Sequence, residues 1–230
     1  MPANKPIRRS QLISPWGIGQ MINFPKDESL MLTGLDLWED KYKSLSNEDR
    51  VEFSIVEDRL AKRLGVKEFR LPFDFREPAP GVKNALLKIP FVRFPRWHYC
   101  ATCGHMEKVS IFDTKKPTCT GETFAQGRSC HNTPARKRPI LIPVRFIAIC
   151  PLGHIEDFPF MQWVHGLTEA EGKHNLRFRA GRSSGALSGI EITCSCGARK
   201  TMANAFNDQS LSKIGVMCSG LDNAAALPRA

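Results

Sequence analysis

The sequence predicts an α+β fold, with a mixed α/β N-terminal region followed by two small β-rich modules, each gathered round four cysteines. Three observations lead there. The clearest helix-spaced apolar pattern stands in the first third of the 230-residue chain. Beyond residue 86 the apolar side chains come in short β-like runs. All eight cysteines lie between Cys100 and Cys218 and divide into two successive sets of four. A hydrophobic fraction of 42% against 24% charged is that of a folded protein, which removes disorder as an account of the bulk of the chain.

The elements follow in order. Gly19–Phe24 and Ser29–Thr33 read as two short strands joined by a charged turn, Pro25–Glu28. Ile22 stands where a dinucleotide fingerprint needs its third glycine, so Gly17 and Gly19 mark a tight turn instead. A helix is expected over residues 47–64: Ser46 and Asp49 offer a capping box, Val51, Ile55, Leu60 and Leu64 recur on one face, and Gly65 stops it. Pro72, Pro78 and Pro80 make residues 71–81 a connector. Residues 89–99 and 140–150 are apolar-rich extended segments, the first running into Cys100 and the second ending on Cys150. Asp157 is placed to cap a short helix that turns Phe160, Trp163 and Val164 inward. Leu176–Phe178 and Ile190–Thr193 read as paired strands, and residues 200–207 as a final short helix. The organisation expected is residues 1–95 as the mixed α/β region, 96–145 and 146–220 as the two modules, and 221–230 as a tail.

The cysteine spacing supplies the chemistry. Cys100-x2-Cys103 forms a knuckle, with Gly104 letting the chain curl back, and Cys119 and Cys130 complete the first set. Cys150, Cys194-x-Cys196 and Cys218 form the second, where His154, four residues after Cys150, is an alternative ligand. Zinc takes four such donors in a tetrahedron, so both modules read as zinc-ribbon-like, with two zinc ions per chain; an iron–sulfur cluster is the alternative use of thiolates. Residues 97–132 hold few large apolar side chains and cannot fold on burial alone. A structural zinc supplies about 10–16 kcal/mol, as much as the whole stability of a domain. His98, His105 and His131 read as surface residues or supports of the ligands.

The net charge is +10, concentrated in residues 91–145, which hold ten Lys and Arg against three Asp and Glu. Such a segment attracts polyanions, nucleic acid first among them. Arg93, Arg96, Lys115, Lys116, Arg128, Arg136, Lys137 and Arg138 are the candidate phosphate contacts, interleaved with Phe94, Trp97 and Tyr99, which either stack on bases or belong to the core. No secretory leader and no apolar run of membrane-spanning length stand in the sequence, so a reducing cytoplasm is expected. No phosphate-binding loop, zinc-protease HExxH or nucleophile elbow is present. His154-Ile155-Glu156 ahead of Cys194-Ser195-Cys196 faintly echoes the zinc deaminases, but lacks their proline and their two-residue spacing.

Several segments together resemble one family. Arg8–Gly19, Gly34–Trp38, Arg59–Val66, Arg93–Gly104, Pro143–Cys150 and Gly153–Pro159, with Cys194, Cys196 and Cys218–Gly220, are similar to DrmB proteins of the DISARM anti-phage system. The resemblance runs in order over residues 7–220. It implies a non-catalytic, zinc-containing subunit of a bacterial defence complex that partners a DNA helicase and contacts DNA. Family members are expected to continue into a helicase-associated domain beyond the region matched here. A protein-only structural adaptor and a deaminase-type zinc hydrolase are the competing expectations.

Overall fold

The computed structural model describes residues 7–13, 16–25, 27–121, 130–166, 174–181 and 187–221. Helices and several small sheets make it an α+β chain, as the sequence predicts. It divides into two compact units, Met1–Asn23 with Leu30–Val92, and Phe24–Ser29 with Arg93–Ala226. No helix among the described residues is long and apolar enough to cross a membrane.

Mostly in the first unit, β1 (Met21–Phe24) and β2 (Glu28–Leu32) stand where two strands were expected. Helix α1 (Asp36–Lys43), which the sequence pattern did not suggest, has Asp36 and Glu39 in its first turn and Lys41 and Lys43 in its last, matching its dipole. The single helix expected over 47–64 does not form. Its span is α2 (Asn47–Val51), β3 (Ser54–Ile55) and α3 (Asp58–Leu64), with β3 paired antiparallel to β4 (Phe69–Arg70). Both ends were read correctly: Ser46 Oγ accepts from Asp49 N at 3.1 Å, and Gly65 ends α3 in the left-handed region. The interior fails because burial goes to Phe53, a residue off the expected stripe. Phe53 is fully buried edge-on to Phe73, with ring centroids 5.1 Å apart, whereas Val51 is 71% and Leu64 58% exposed. Packing one phenyl ring outweighs helix periodicity there. Leu87 completes this core, and β5 (Phe91–Arg93) joins a sheet of order β1-β2-β5.

Arg76 pairs with Glu52 and Asp74, and Arg9 also reaches Asp74. The hydrogen bond from Arg76 holds Glu52 below its ordinary value of 4.5; Asp74 is likewise lowered, its desolvation outweighed by the two guanidinium groups. Carboxyls depressed by folding stabilise above their unfolded pKa and lose that contribution as pH falls through the folded value. The first unit should therefore lose stability progressively below about pH 4.5. Arg76→Gln should flatten the acid limb of a Tm-against-pH profile, and an unchanged limb would remove these pairs from the account.

In the second unit, β6 (Trp97–Tyr99) lies between β7 (Met106–Lys108) and β8 (Ile142–Pro143), both antiparallel to it. A hairpin follows, β9 (Ile147–Ile149) against β10 (Ile155–Asp157), and then α4 (Phe160–His165). Strands β11 (Leu176–Ala180), β12 (Ile190–Cys194) and β13 (Arg199–Thr201) make an antiparallel sheet of that order. Helix α4 rests on β12 and β13 through Phe160 and Trp163, whose indole N–H donates to the Thr201 carbonyl at 3.1 Å. Phe160 is fully buried among Phe158, Ile192, Leu176 and Met202.

Two expectations change here. Asp157 does not cap α4; it is the last residue of β10, its carboxylate accepting from Arg96 N at 2.6 Å and facing Lys108 Nζ at 3.4 Å. The helix expected over 200–207 is instead β13 followed by turns, because Lys200 pairs with Ile192 and lays its ammonium 3.9 Å over the Trp163 ring. Between β11 and β12, residues 182–186 lie outside the described residues.

Candidate metal centres

Clustered thiols and imidazoles have a geometric signature. Bonds of about 2.3 Å to sulfur and about 2.0 Å to nitrogen round a tetrahedral ion set neighbouring ligand atoms about 3.3–3.8 Å apart. Three groups among the described residues approach it, each with all its ligand atoms within 4.8 Å of one another.

The first is the predicted quartet of Cys100, Cys103, Cys119 and Cys130, all buried. Cys100 Sγ lies 3.8 Å from Cys130 Sγ, and Cys103 Sγ 3.6 Å from Cys119 Sγ. Strand β6 delivers Cys100. The chain then reverses: Cys100 N–H donates to the His105 carbonyl at 2.9 Å and Gly104 N–H to the Cys100 carbonyl at 2.7 Å. A Cβ at Gly104 would stand 2.6 Å from the Phe178 carbonyl oxygen, so this turn admits only glycine. Among the described residues, Leu141 is the one other member of this buried cluster. Desolvation opposes ionisation of Cys100, but N–H groups of Cys103 and Thr102 aimed at its sulfur lower its pKa; burial raises Cys119 and lifts Cys130 to about 11. Thiols this close cannot all ionise beside one another, and a divalent cation removes the conflict.

The second predicted set is not one site in the structure. Cys194 and Cys196 meet His165 and His174, while Cys150 and Cys218 meet His154. His174 Nδ1 lies 3.2 Å from Cys194 Sγ and His165 Nε2 3.4 Å from Cys196 Sγ. His165 Nδ1 is 2.9 Å from the Met161 carbonyl; as the donor there, it leaves the Nε2 lone pair for an ion. The Ala198 N–H brings the exposed Cys196 down to about 6. The sequence reading missed His165 and His174: one ends α4, the other precedes β11, and only the packing of α4 on the sheet joins them to the C-x-C pair.

The third group is Cys150, His154 and Cys218, all half-buried. His154 Nδ1 lies 3.4 Å from Cys150 Sγ and 3.5 Å from Cys218 Sγ. The β9–β10 hairpin supplies the first two, closed by Cys150 N–H to the His154 carbonyl at 3.1 Å. Glu156 Oε1 accepts from Ser219 N at 2.8 Å and lies 3.4 Å from Cys218 Sγ, tying the last ligand to the hairpin. Against the cost of desolvation, the N–H groups of His154 and Leu152 bring Cys150 to about 7.

The basic residues separate by what they touch. The buried Arg93 donates to the carbonyls of Asp113 and Lys115, and Arg96 to that of Val109. Arg138 clasps the first centre's loops, donating to Thr133 O at 3.0 Å and Thr120 O at 2.9 Å. Lys116 faces Glu28 at 3.8 Å. Lys115, Arg136 and Lys137 are exposed, and Arg128 lies outside the described residues. Phe94 is buried, Trp97 packs edge-on to Phe160 at 5.8 Å, and Tyr99 lies against Phe178 at 4.5 Å, so all three aromatics serve packing. His98 and His105 are buried rather than on the surface, and His98 Nδ1 lies 2.9 Å from the Arg96 carbonyl.

An α+β chain whose second unit gathers cysteine and histidine into groups able to hold metal ions defines a class: small folds organised by Cys/His clusters. Within it, the chain belongs to the family described as a domain of unknown function, DUF8724, whose model matches residues 8–226. It is also similar to the DISARM protein DrmB of Bacillus paralicheniformis, with 26% identity over 147 residues, 64% of this chain. Those residues cover 24% of that protein, so the chain spans about a quarter of the relative's length.

Proposed function

We propose that this chain is a non-catalytic zinc-binding part of a cytoplasmic bacterial anti-phage complex, where it contacts DNA beside a helicase partner. The buried four-cysteine centre carries the zinc reading: four protein donors complete a tetrahedron and leave no position for a reacting water. The similarity to a DISARM protein supports the defence setting and, through the family resemblance, the helicase. Lys115, four residues before Cys119, and Arg136 and Lys137, six and seven after Cys130, put exposed charge on the loops of that centre. These three are the phosphate contacts we favour, with the ion holding the loops that present them.

A salt titration of DNA binding tests this. Each phosphate contact contributes about 0.9 to the slope of log K against log salt, so replacing Lys115, Arg136 and Lys137 together by alanine should flatten it by roughly three. The capture of Arg93, Arg96 and Arg138 by backbone carbonyls favours the rival reading of a protein-only adaptor. Absence of binding at low salt, with metal content intact, would establish that rival.

A further inference from the structure

The half-buried group at the end of the second unit has a different character from the other two. It offers two thiols and one imidazole, and among the described residues no fourth donor lies within the same reach. It is nevertheless built. Cys218 comes from a segment 64 residues beyond His154 and is brought back by the Glu156 carboxylate on Ser219 N–H. Gly220 passes so close behind the imidazole that a Cβ there would stand 2.7 Å from His154 Cγ. The ring is thereby clamped with Nδ1 turned to both sulfurs, at spacings that tetrahedral zinc requires.

We propose that Cys150, His154 and Cys218 form a third zinc site, separate from the Cys194/Cys196 site, whose fourth coordination position takes an exchangeable small donor, water at rest. Three donors instead of four, none of them fully buried, make its ion the one most readily gained, lost or approached by an added ligand. Glu156 is a positioning residue here, since its carboxylate acts through Cys218 and the following loop. The inference rests on the reading that these cysteine clusters hold zinc, and goes beyond it in number and in kind of site.

Metal analysis of the purified full chain, with a colorimetric chelator as competitor, tests it. The expected result is three zinc per chain, of which one transfers quickly to 4-(2-pyridylazo)resorcinol. His154→Ala should then bind two zinc and lack the fast phase, while His165→Ala should lose a slow ion and keep it. Should His154→Ala fail to fold, the wild-type chain loaded with Co2+ decides the matter: imidazole should shift the visible bands of about one ion in three. Two zinc per chain, unchanged in His154→Ala, would overturn the third site and leave structural zinc standing. Three zinc with no fast phase and no imidazole response would overturn the open position. A chain without zinc would overturn both this inference and the reading beneath it.

Discussion

Cys119→Ser is expected to unfold the loops between β6 and β8 while leaving the larger core of the second unit folded. Among the described residues, the first centre's buried cluster is four cysteines and Leu141. Burial of one leucine stabilises by about 1.5–3 kcal/mol, whereas a structural zinc contributes about 10–16 kcal/mol. On the zinc reading proposed above, the ion therefore dominates. Losing one thiolate leaves three buried donors, opens the tetrahedron and weakens the hold on the metal. The remaining core, built on Phe158, Phe160, Trp163, Ile192 and Met202, does not depend on this ion for its apolar contacts. Limited proteolysis should give cuts confined to residues between 100 and 141, and a strong chelator should give the same pattern with the wild-type chain. An identical digestion pattern and Tm for C119S and wild type would contradict a metal-organised module.

Phe160→Ala should cost about 3–5 kcal/mol, a loss comparable with the stability of many domains. The ring is fully buried and touches three aromatics: Phe158 at 4.8 Å, Trp97 at 5.8 Å and Phe146 at 6.4 Å between centroids. Phe158 and Phe146 are held by edge-on contacts of their own, to Trp163 at 5.8 Å and Phe206 at 5.4 Å, which oppose collapse into the space. Phe112, 71% exposed, is the control, and Phe112→Ala should move the urea midpoint by no more than about 0.5 kcal/mol equivalent. Equal midpoints for the two variants would place the core elsewhere.

What could be read from residues alone divides by range. The first quartet was legible because a C-x2-C turn with a following glycine encodes its own geometry. The paired strands β11 and β12 and the inward face of α4 were legible through alternation and spacing of apolar residues. The failures were contests decided by tertiary packing. Phe53 pulled a helix-spaced stretch into two short helices and a strand. Lys200 entered a ladder where a helix was expected. Four cysteines after residue 149 suggested one site, because histidines distant in sequence carry no local mark; His165 and His174 are nine residues apart and join the C-x-C pair only in the fold. The basic segment shows the same limit. Its excess charge is a fact of composition, but composition cannot say that Arg93 and Arg138 turn inward to carbonyls while Arg136 and Lys137 face water.

Helix α4 begins on Phe160, sunk among the rings, and ends on His165, one of the two histidines that meet the Cys194/Cys196 pair. Six residues thus couple oil to ion. A cation that grips the imidazole favours the docked helix, and by thermodynamic reciprocity a well-seated phenyl group tightens the grip on the cation. If zinc sits there as proposed, heat, a cavity at 160 and scarcity of metal become three routes to the same loosened state, and melting curves should be compared at one stated free-metal concentration.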